Sequence, residues 1–582
     1  MSRDVKALFN IDESESIGSV VKVDSYSVTV LIPSDEVLKN VNVNSYVLLH
    51  TSNPNIRLVG RIDRIIQTEE SDEYEEGQIV SKILSKNIAH INALGTLKGP
   101  GGGRENTTFS RAVEILPEIS AKCFSLKGEE LSMFASLISN TLAEVDTPLN
   151  IGYYTMAANA TAILDGDAFF KRHAMIVGST GAGKSWTVAH LVEQAANLPS
   201  SNLVLLDLHG EYTPLGENKN VACYKIAGPS DLDDEKSNAI YLPYWLLGYE
   251  DMLALILDRS DDNAPNQAMA FSKLVLEAKR KYLIKNDMTK ELETFTIDSP
   301  VPYDMNFVVE QLEELNIQRV KNATGKEVNG PFNGKFNRFI PRLKAKLADR
   351  RYGFLFELKD SQQQVEYLKT IVSNFMQTSN EEKKGIKVVD FSEVPSDILP
   401  VVISLVAKLI FQTQQWTKKE NRYPISLMCD EAHLYLPVSK SADASAGRAL
   451  SHFERIAKEG RKYGVSLTII SQRPSELNTT IMSQCNNIIS LRLTNQADKS
   501  AVSNLLPENL GGIKDVLPAL GIGEGIIVGD ACLLPSRVKI QEPKCKPESS
   551  SVNFWTEWNK KDVEIQQDLS KSVDNMIRQT ME

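Results

Sequence analysis

The feature that most narrows the fold is an octapeptide, Gly178-Ser-Thr-Gly-Ala-Gly-Lys184-Ser185, set directly after the apolar run Ala174-Met-Ile-Val177. A glycine-rich turn of the form G-x-x-x-x-G-K-S belongs between a buried strand and a helix. It turns backbone N–H groups around an anion and presents that anion to a helix N-terminus. The helix is legible downstream, where Val188, Leu191, Val192 and Ala195 recur on one face. Gly178, Ser179, Thr180, Gly181, Ala182, Gly183, Lys184 and Ser185 are therefore the candidate nucleotide-binding residues. In such a loop Lys184 reaches toward the β- and γ-phosphates, and the Ser185 hydroxyl is placed to coordinate Mg²⁺.

Around this loop, from about residue 150, short apolar runs alternate with helical patterns, as in a parallel α/β sheet. The further runs are Leu203–Leu206, Ile386–Val389, Ile425–Met428 and Leu467–Ile470. Between the second and third of the five runs, an insertion from Asp207 to Gly385 contains helical segments at Ala268–Tyr282 and Phe307–Leu315. Ile398–Phe411 reads as a buried helix, since Pro400 and Lys408 interrupt it and it is too short to span a bilayer. Before the loop, Val21, Val23, Val28, Val30 and Ile32 alternate with mostly polar neighbours, which predicts a small β-barrel. The acidic stretch Glu69–Glu76 reads as a solvated loop between barrel strands, and Gly99–Gly103 as a flexible loop or hinge near the end of this region. The last thirty residues, Asn553–Glu582, carry Phe554, Trp555 and Trp558 and then an amphipathic stretch, which predicts a helix docking on a neighbour.

Two further motifs complete a hydrolytic set. Ile425-Ser-Leu-Met-Cys-Asp430-Glu431 is a buried strand ending in two carboxylates, Asp430 for the Mg²⁺ shell and Glu431 to polarise an attacking water. Leu467-Thr-Ile-Ile-Ser-Gln472 places an amide at a strand end, where it either reads the γ-phosphate and water or is a buried, satisfied glutamine. The Asp207, His209 and Glu211 trio lies on a turn after a strand, so a structural or nucleotide-coupling role is expected rather than a metal site. Asp390 is expected to cap the helix that follows it.

Asp207-Leu-His-Gly-Glu-Tyr212 resembles the signature of HerA-type ATPases, a branch of the HerA/FtsK translocases. Lys171-Arg172-His173, Asp430-Glu-Ala-His433, Lys458–Gly464, Ser471-Gln-Arg-Pro-Ser475, Gln484-Cys-Asn486, Leu491-Arg-Leu493 and Gly525–Gly529 resemble that family in the same order. The resemblance covers about 150 to 545. It implies a RecA-like core with a helical insertion around 250–380, within an ATPase domain from 126 to 545. A barrel and connecting loop would precede it over 1–125, and a helical tail would follow over 546–582. It also implies ATP and Mg²⁺ as cofactors, a homohexamer with nucleotide between subunits, and double-stranded DNA in a central pore. An arginine from the adjacent subunit would complete each site, Arg461 being the candidate and Arg455 the alternative. Arg172 matches a family arginine that acts at the nucleotide. For each arginine the competing reading is an ordinary salt bridge. The polar segment Ser439–Arg448 is a candidate pore loop, with an ordinary flexible loop as its equal.

Composition bounds the rest. With 42% hydrophobic and 24% charged residues the chain should mostly fold. The amino terminus shows no signal sequence, and six cysteines lie without a C-x-x-C pair, so a cytoplasmic protein with reduced thiols and no membrane association is expected. A net charge of −11 argues against a DNA-coating protein, but a narrow pore needs only local positive charge. The function expected is an ATP-driven DNA translocase or helicase in DNA end processing or antiviral defence. It would work with a separate nuclease or effector docked on the barrel. The alternative is a ring scaffold that assembles and activates a partner under control of ATP.

Overall fold

A computed structural model of the chain describes residues 13–71, 83–99, 107–143, 147–157, 159–233, 238–321, 323, 325–380, 384–438, 444–506, 512–549, 553–560 and 566–578. The chain forms two compact units. One comprises residues 1–194, 470–475 and 482–543; the other comprises 195–469, 476–481 and 544–582.

In the first unit, strands Gly18–Val23, Ser27–Ile32, Tyr46–His50, Ile56–Ser71, Ile83–Lys98 and Lys122–Ser125 pair antiparallel and close into a barrel. Ser27–Ile32 seals it against Ile83–Lys98. Val20, Val28, Val30, Ile32, Val47, Leu49, Leu58, Ile62 and Ile91 fill the interior. The expected alternation fails at one point: the register shifts between Val20 and Lys22, so Val20 faces the core and Val21 is exposed. A bulge resets the two-residue period, which an alternation count does not detect. Of the acidic stretch, Glu69 to Ser71 end the strand Ile56–Ser71, and the remainder lies outside the described residues. Of the glycine segment only Gly99 is described, with φ of 68°.

The same unit contains the strand Ala174–Val177, parallel to Asn487–Leu491. Beyond it Glu524–Val528, Ser536–Ile540, Pro148–Tyr154 and Thr161–Asp165 are joined antiparallel. This flank therefore departs from the expected parallel sheet. Only two of its pairs, Glu524–Val528 with Ser536–Ile540 and Pro148–Tyr154 with Thr161–Asp165, are joined by short reversals; the others bring together strands distant in sequence.

In the second unit, parallel strands run in the order Ala239–Ile240, Val221–Ile226, Ile386–Asp390, Leu203–Asp207, Ile425–Cys429 and Val465–Ser471, the last two residues of which belong to the first unit. Leu203–Asp207, Ile425–Cys429 and Val465–Ser471 are buried throughout, as strands covered on both faces must be. The region between Ile226 and Ile386 holds helices Tyr249–Ile256, Ala264–Lys285, Met305–Ile317, Phe339–Ala348 and Val365–Met376. The buried helix is Leu399–Trp416. Among the described residues no helix is long and apolar enough to cross a membrane. The tail forms helices Phe554–Trp558 and Gln566–Arg578, with Trp555 and Trp558 exposed.

Candidate active site

In a parallel sheet, side chains at the carboxyl ends of strands are the ones free to meet a ligand. The sequence places its chemistry at these ends, and each unit carries part of it.

In the first unit the strand Ala174–Val177 runs into the phosphate loop, and the helix Lys184–Ala196 leaves it with Val188, Leu191 and Val192 buried. Gly183 has φ of 104°, a conformation a side chain would strain, and Gly181 has φ of 71°. Gly178 is needed for a different reason: a Cβ there would meet Leu491 Cβ at 2.8 Å. The loop is fastened at its base. Gly178 N–H donates to Ser471 O (3.3 Å), Ser179 N–H donates to Arg492 O (2.8 Å), and Gly523 N–H donates to Ala182 O (3.0 Å). Lys184 is buried, with Nζ 3.5 Å from Ser179 O, and Ser185 follows it in the first helical turn. A loop so held points the helix N-terminus at whatever anion it receives.

Gln472, at the end of Val465–Ser471, is brought to this loop: Thr180 Oγ1 donates to Gln472 Oε1 at 2.7 Å. Thr180 thus gains a role that the sequence alone did not indicate. Arg172 has its guanidinium paired with the Asp530 carboxylate. The competing salt-bridge reading describes its state here.

In the second unit Asp430 is buried at the end of Ile425–Cys429, its N–H donating to Leu206 O at 3.3 Å. Burial first, and then the carboxylates of Glu431, Asp207 and Glu211, push its pKa well up. Glu431 takes a left-handed backbone, φ 41° and ψ 42°, which for a residue with a side chain marks a constrained turn. Its Oε2 is buried, lies 3.3 Å from His433 Nδ1 and accepts no hydrogen bond among the described residues. His433 is a residue to which sequence reasoning gave no role. The signal was available in the two-residue spacing of Glu431 and His433.

Asp207 organises its own loop. Oδ1 accepts from the N–H groups of His209, Gly210 and Glu211 at 3.3, 2.9 and 3.2 Å, and Oδ2 accepts from Tyr212 N–H at 2.9 Å. Gly210, with φ of 73°, turns within 3.2 Å of Asp390 Oδ2 as measured from an added Cβ. Asp390 accepts from Ser392 N–H at 2.7 Å, and the next helix begins only at Leu399 with Ile398 as its cap. The expectation that Asp390 caps that helix is corrected: a turn of eight residues intervenes, and the carboxylate caps the turn.

The helix Ala444–Tyr463 separates the two trans-arginine candidates. Arg455 Nε lies 3.5 Å from Glu459 and its guanidinium sits over the Phe411 ring at 5.2 Å. Arg461 is exposed and makes no salt bridge among the described residues. Of the candidate pore loop, residues 439–443 lie outside the described residues, and from Ala444 the chain is helical. Arg448 Nε is 3.4 Å from Asp251, a buried carboxylate that also binds Lys408 Nζ at 3.0 Å.

A glycine-rich anion loop entering a helix, an amide at the neighbouring strand end, and a buried Asp–Glu pair closing a parallel strand define a P-loop ATPase, and the chain is an ATP-hydrolysing enzyme of that class. Residues 149–410 match the family described as helicase HerA, central domain. The probable DNA double-strand break repair helicase HerA of Methanocaldococcus jannaschii is 25% identical over 514 residues, covering 82% of this chain and 89% of the relative. The DNA double-strand break repair helicase HerA of Sulfolobus acidocaldarius is 28% identical over 404 residues, covering 68% and 70%. Among solved structures, VirB4 of Thermoanaerobacter pseudethanolicus aligns at a TM-score of 0.44 and 16% identity over 69% of this chain and 98% of that one.

Proposed function

We propose that the chain is an ATP-driven motor on double-stranded DNA, working as a homohexamer with the duplex in its central pore. The observation that carries this reading is a complete hydrolytic residue set within a chain whose residues 149–410 match the HerA central domain. The relatives' names as break-repair helicases support the choice of DNA. In this reading the N–H groups of Gly178–Gly183 and the Lys184 ammonium hold the phosphates. Glu431 accepts a proton from the attacking water, and Gln472 orients that water. Arg461 arrives from the adjacent subunit, and Arg172, released from Asp530, acts at the nucleotide.

The donors suit Mg²⁺: the Ser185 hydroxyl and the Asp430 carboxylate are hard oxygen ligands, and a divalent charge would let the crowded carboxylates around Asp430 remain ionised. When bound, the ion neutralises charge developing on the phosphates. A separate nuclease or effector docking on the barrel, in DNA end processing or antiviral defence, and a cytoplasmic location complete the proposal. The net charge of −11 favours a second reading, a ring scaffold that activates its partner without moving DNA.

Steady-state ATP hydrolysis of the purified chain, with and without linear duplex and alongside a mass measurement, tests the motor. Strong stimulation in a hexamer, abolished by Lys184→Ala, is expected. Glu431→Gln should lower turnover by about 10²–10⁴-fold while leaving ATP binding intact. A hexamer whose hydrolysis ignores duplex, and whose partner stays active with Glu431→Gln, is the scaffold.

A further inference from the structure

Although the whole chain is acidic, residues 316–351 hold ten lysines and arginines against two acids. They leave the helix Met305–Ile317, form an exposed antiparallel ribbon of Arg319–Lys321 with Glu327–Asn329, and return through a loop to the helix Phe339–Ala348. Five of the ten cations lie in ion pairs: Arg342, Lys344, Lys346, Arg350 and Arg351 with Asp258, Glu313, Asp397, Asp233 and Asp349.

The other five, Arg319, Lys321, Lys326, Lys335 and Arg338, are all exposed. Lys321, Lys335 and Arg338 make no salt bridge among the described residues. Arg319 lies 3.9 Å from Glu327 with both side chains 63% exposed, a pairing of little worth in water. Arg319 and Lys321 share one face of the ribbon, and Val320, opposite Val328, is on the other.

The support beneath these charges is built rather than loose. Gly330 N–H and Asn333 Nδ2 donate to Gln318 O at 2.9 and 3.1 Å, and Gly334 N–H donates to Asn316 O at 2.9 Å. Phe336 N–H donates to Asn316 Oδ1 at 2.8 Å, and the buried Phe336 ring stacks on Phe332 at 5.5 Å. The entropy of placing the charges is therefore already spent in folding.

We propose that this ribbon and its return loop form a contact surface for the phosphate backbone of duplex DNA. The proposal rests on the reading of the enzyme as a motor on DNA and names a surface for it outside the nucleotide site. The cations are strung along an exposed ribbon and its return loop rather than gathered at one point, so the matching ligand is an extended polyanion. Duplex DNA presents a charge every ~1.7 Å, and its major groove admits a two-stranded ribbon. Where most of the chain repels DNA, a local excess of positive charge decides where contact occurs.

The test uses the full chain and a variant carrying Arg319→Ala, Lys321→Ala, Lys326→Ala and Lys335→Ala. Anisotropy of a labelled linear duplex is followed over a salt series, with ATP hydrolysis measured in parallel. The variant should bind roughly tenfold or more weakly at low salt, and its slope of log K against log salt should be shallower by about 3 to 4. DNA-free hydrolysis should be unchanged. A second variant, with Lys321→Arg, Lys326→Arg and Lys335→Arg, keeps the charge and should bind as the unaltered chain does. Equal affinity and slope in the alanine variant overturn the ribbon surface and leave the DNA motor standing, whereas an unaltered chain that neither binds duplex nor responds to it overturns both. Weakening by the arginine variant equal to that by alanine also overturns it, as does loss confined to anionic lipid vesicles with duplex binding intact.

Discussion

Asp207 carries a carboxylate in a strand end that gives it no solvent. Burial raises its pKa, the Tyr212 N–H bond opposes that, nearby Asp390 adds to the rise, and the outcome is a value of about 6. A folded-state pKa above the unfolded one means the native form holds the proton while the unfolded form has lost it, over roughly pH 4 to 6. Stability from this group is thus greatest below that window, falls as pH rises through it by about 3 kcal/mol, and is flat above it. Asp207→Asn removes the titration and adds a pH-independent cost, because its amide nitrogen must face an N–H donor. The wild-type advantage over Asp207→Asn in unfolding free energy should therefore shrink between pH 4 and 6 and stay constant above 7. An advantage that instead grew with pH would show that the four N–H donors outweigh burial.

At the scale of elements, the least expected member of a buried strand is Lys387 in Ile386–Asp390, fully inaccessible to solvent. Burial lowers its pKa to about 7, while three acceptors favour the charged form: Asn202 Oδ1 at 2.6 Å, Gln377 O at 2.9 Å and Gly385 O at 2.8 Å. The ammonium fastens the chain entering this strand to the residue preceding Leu203–Asp207. Lys387→Met matches the stem but strands three buried acceptors, and should cost about 2–4 kcal/mol in urea unfolding; a neutral result would mean that water satisfies them. The five apolar runs were readable because a strand covered on both faces tolerates little else. Lys387 hid among them, since two of its three partners, Gln377 and Asn202, lie ten or more residues away in sequence. The phosphate loop and the Asp430–Glu431 strand end were readable because their chemistry ties residue type to spacing. The bulge at Val20 and the Thr180 bond to Gln472 depend on backbone geometry or on distant partners, which no local pattern encodes; the pairing of Arg455 with Glu459 four residues on and the turn capped by Asp390 are local, but their spacing fits more than one role.

For the whole molecule, the decisive property is whether a site is completed by one chain or by two. Arg461 stands exposed near the end of the helix Ala444–Tyr463 without a salt bridge among the described residues, whereas Arg455 is already engaged by Glu459 and Phe411. A free guanidinium on a surface helix suits a head-to-tail interface, the kind that closes into a ring and places one subunit's residue at its neighbour's ligand. Lys184→Ala and Arg461→Ala should each abolish hydrolysis when made alone. Their mixture distinguishes the geometries, because a Lys184→Ala subunit still offers Arg461 and an Arg461→Ala subunit still offers a sound phosphate loop. If the arginine acts in trans, an equal mixture reassembled from dissociated subunits contains complete sites at about one interface in four. Up to about a quarter of the wild-type rate should then return. If Arg461 acts within its own chain, every subunit in the mixture lacks one essential group and the rate stays at zero. Recovery in that mixture, together with an Arg455→Ala variant that keeps its hydrolysis when made alone, would assign the arginine and the ring architecture together.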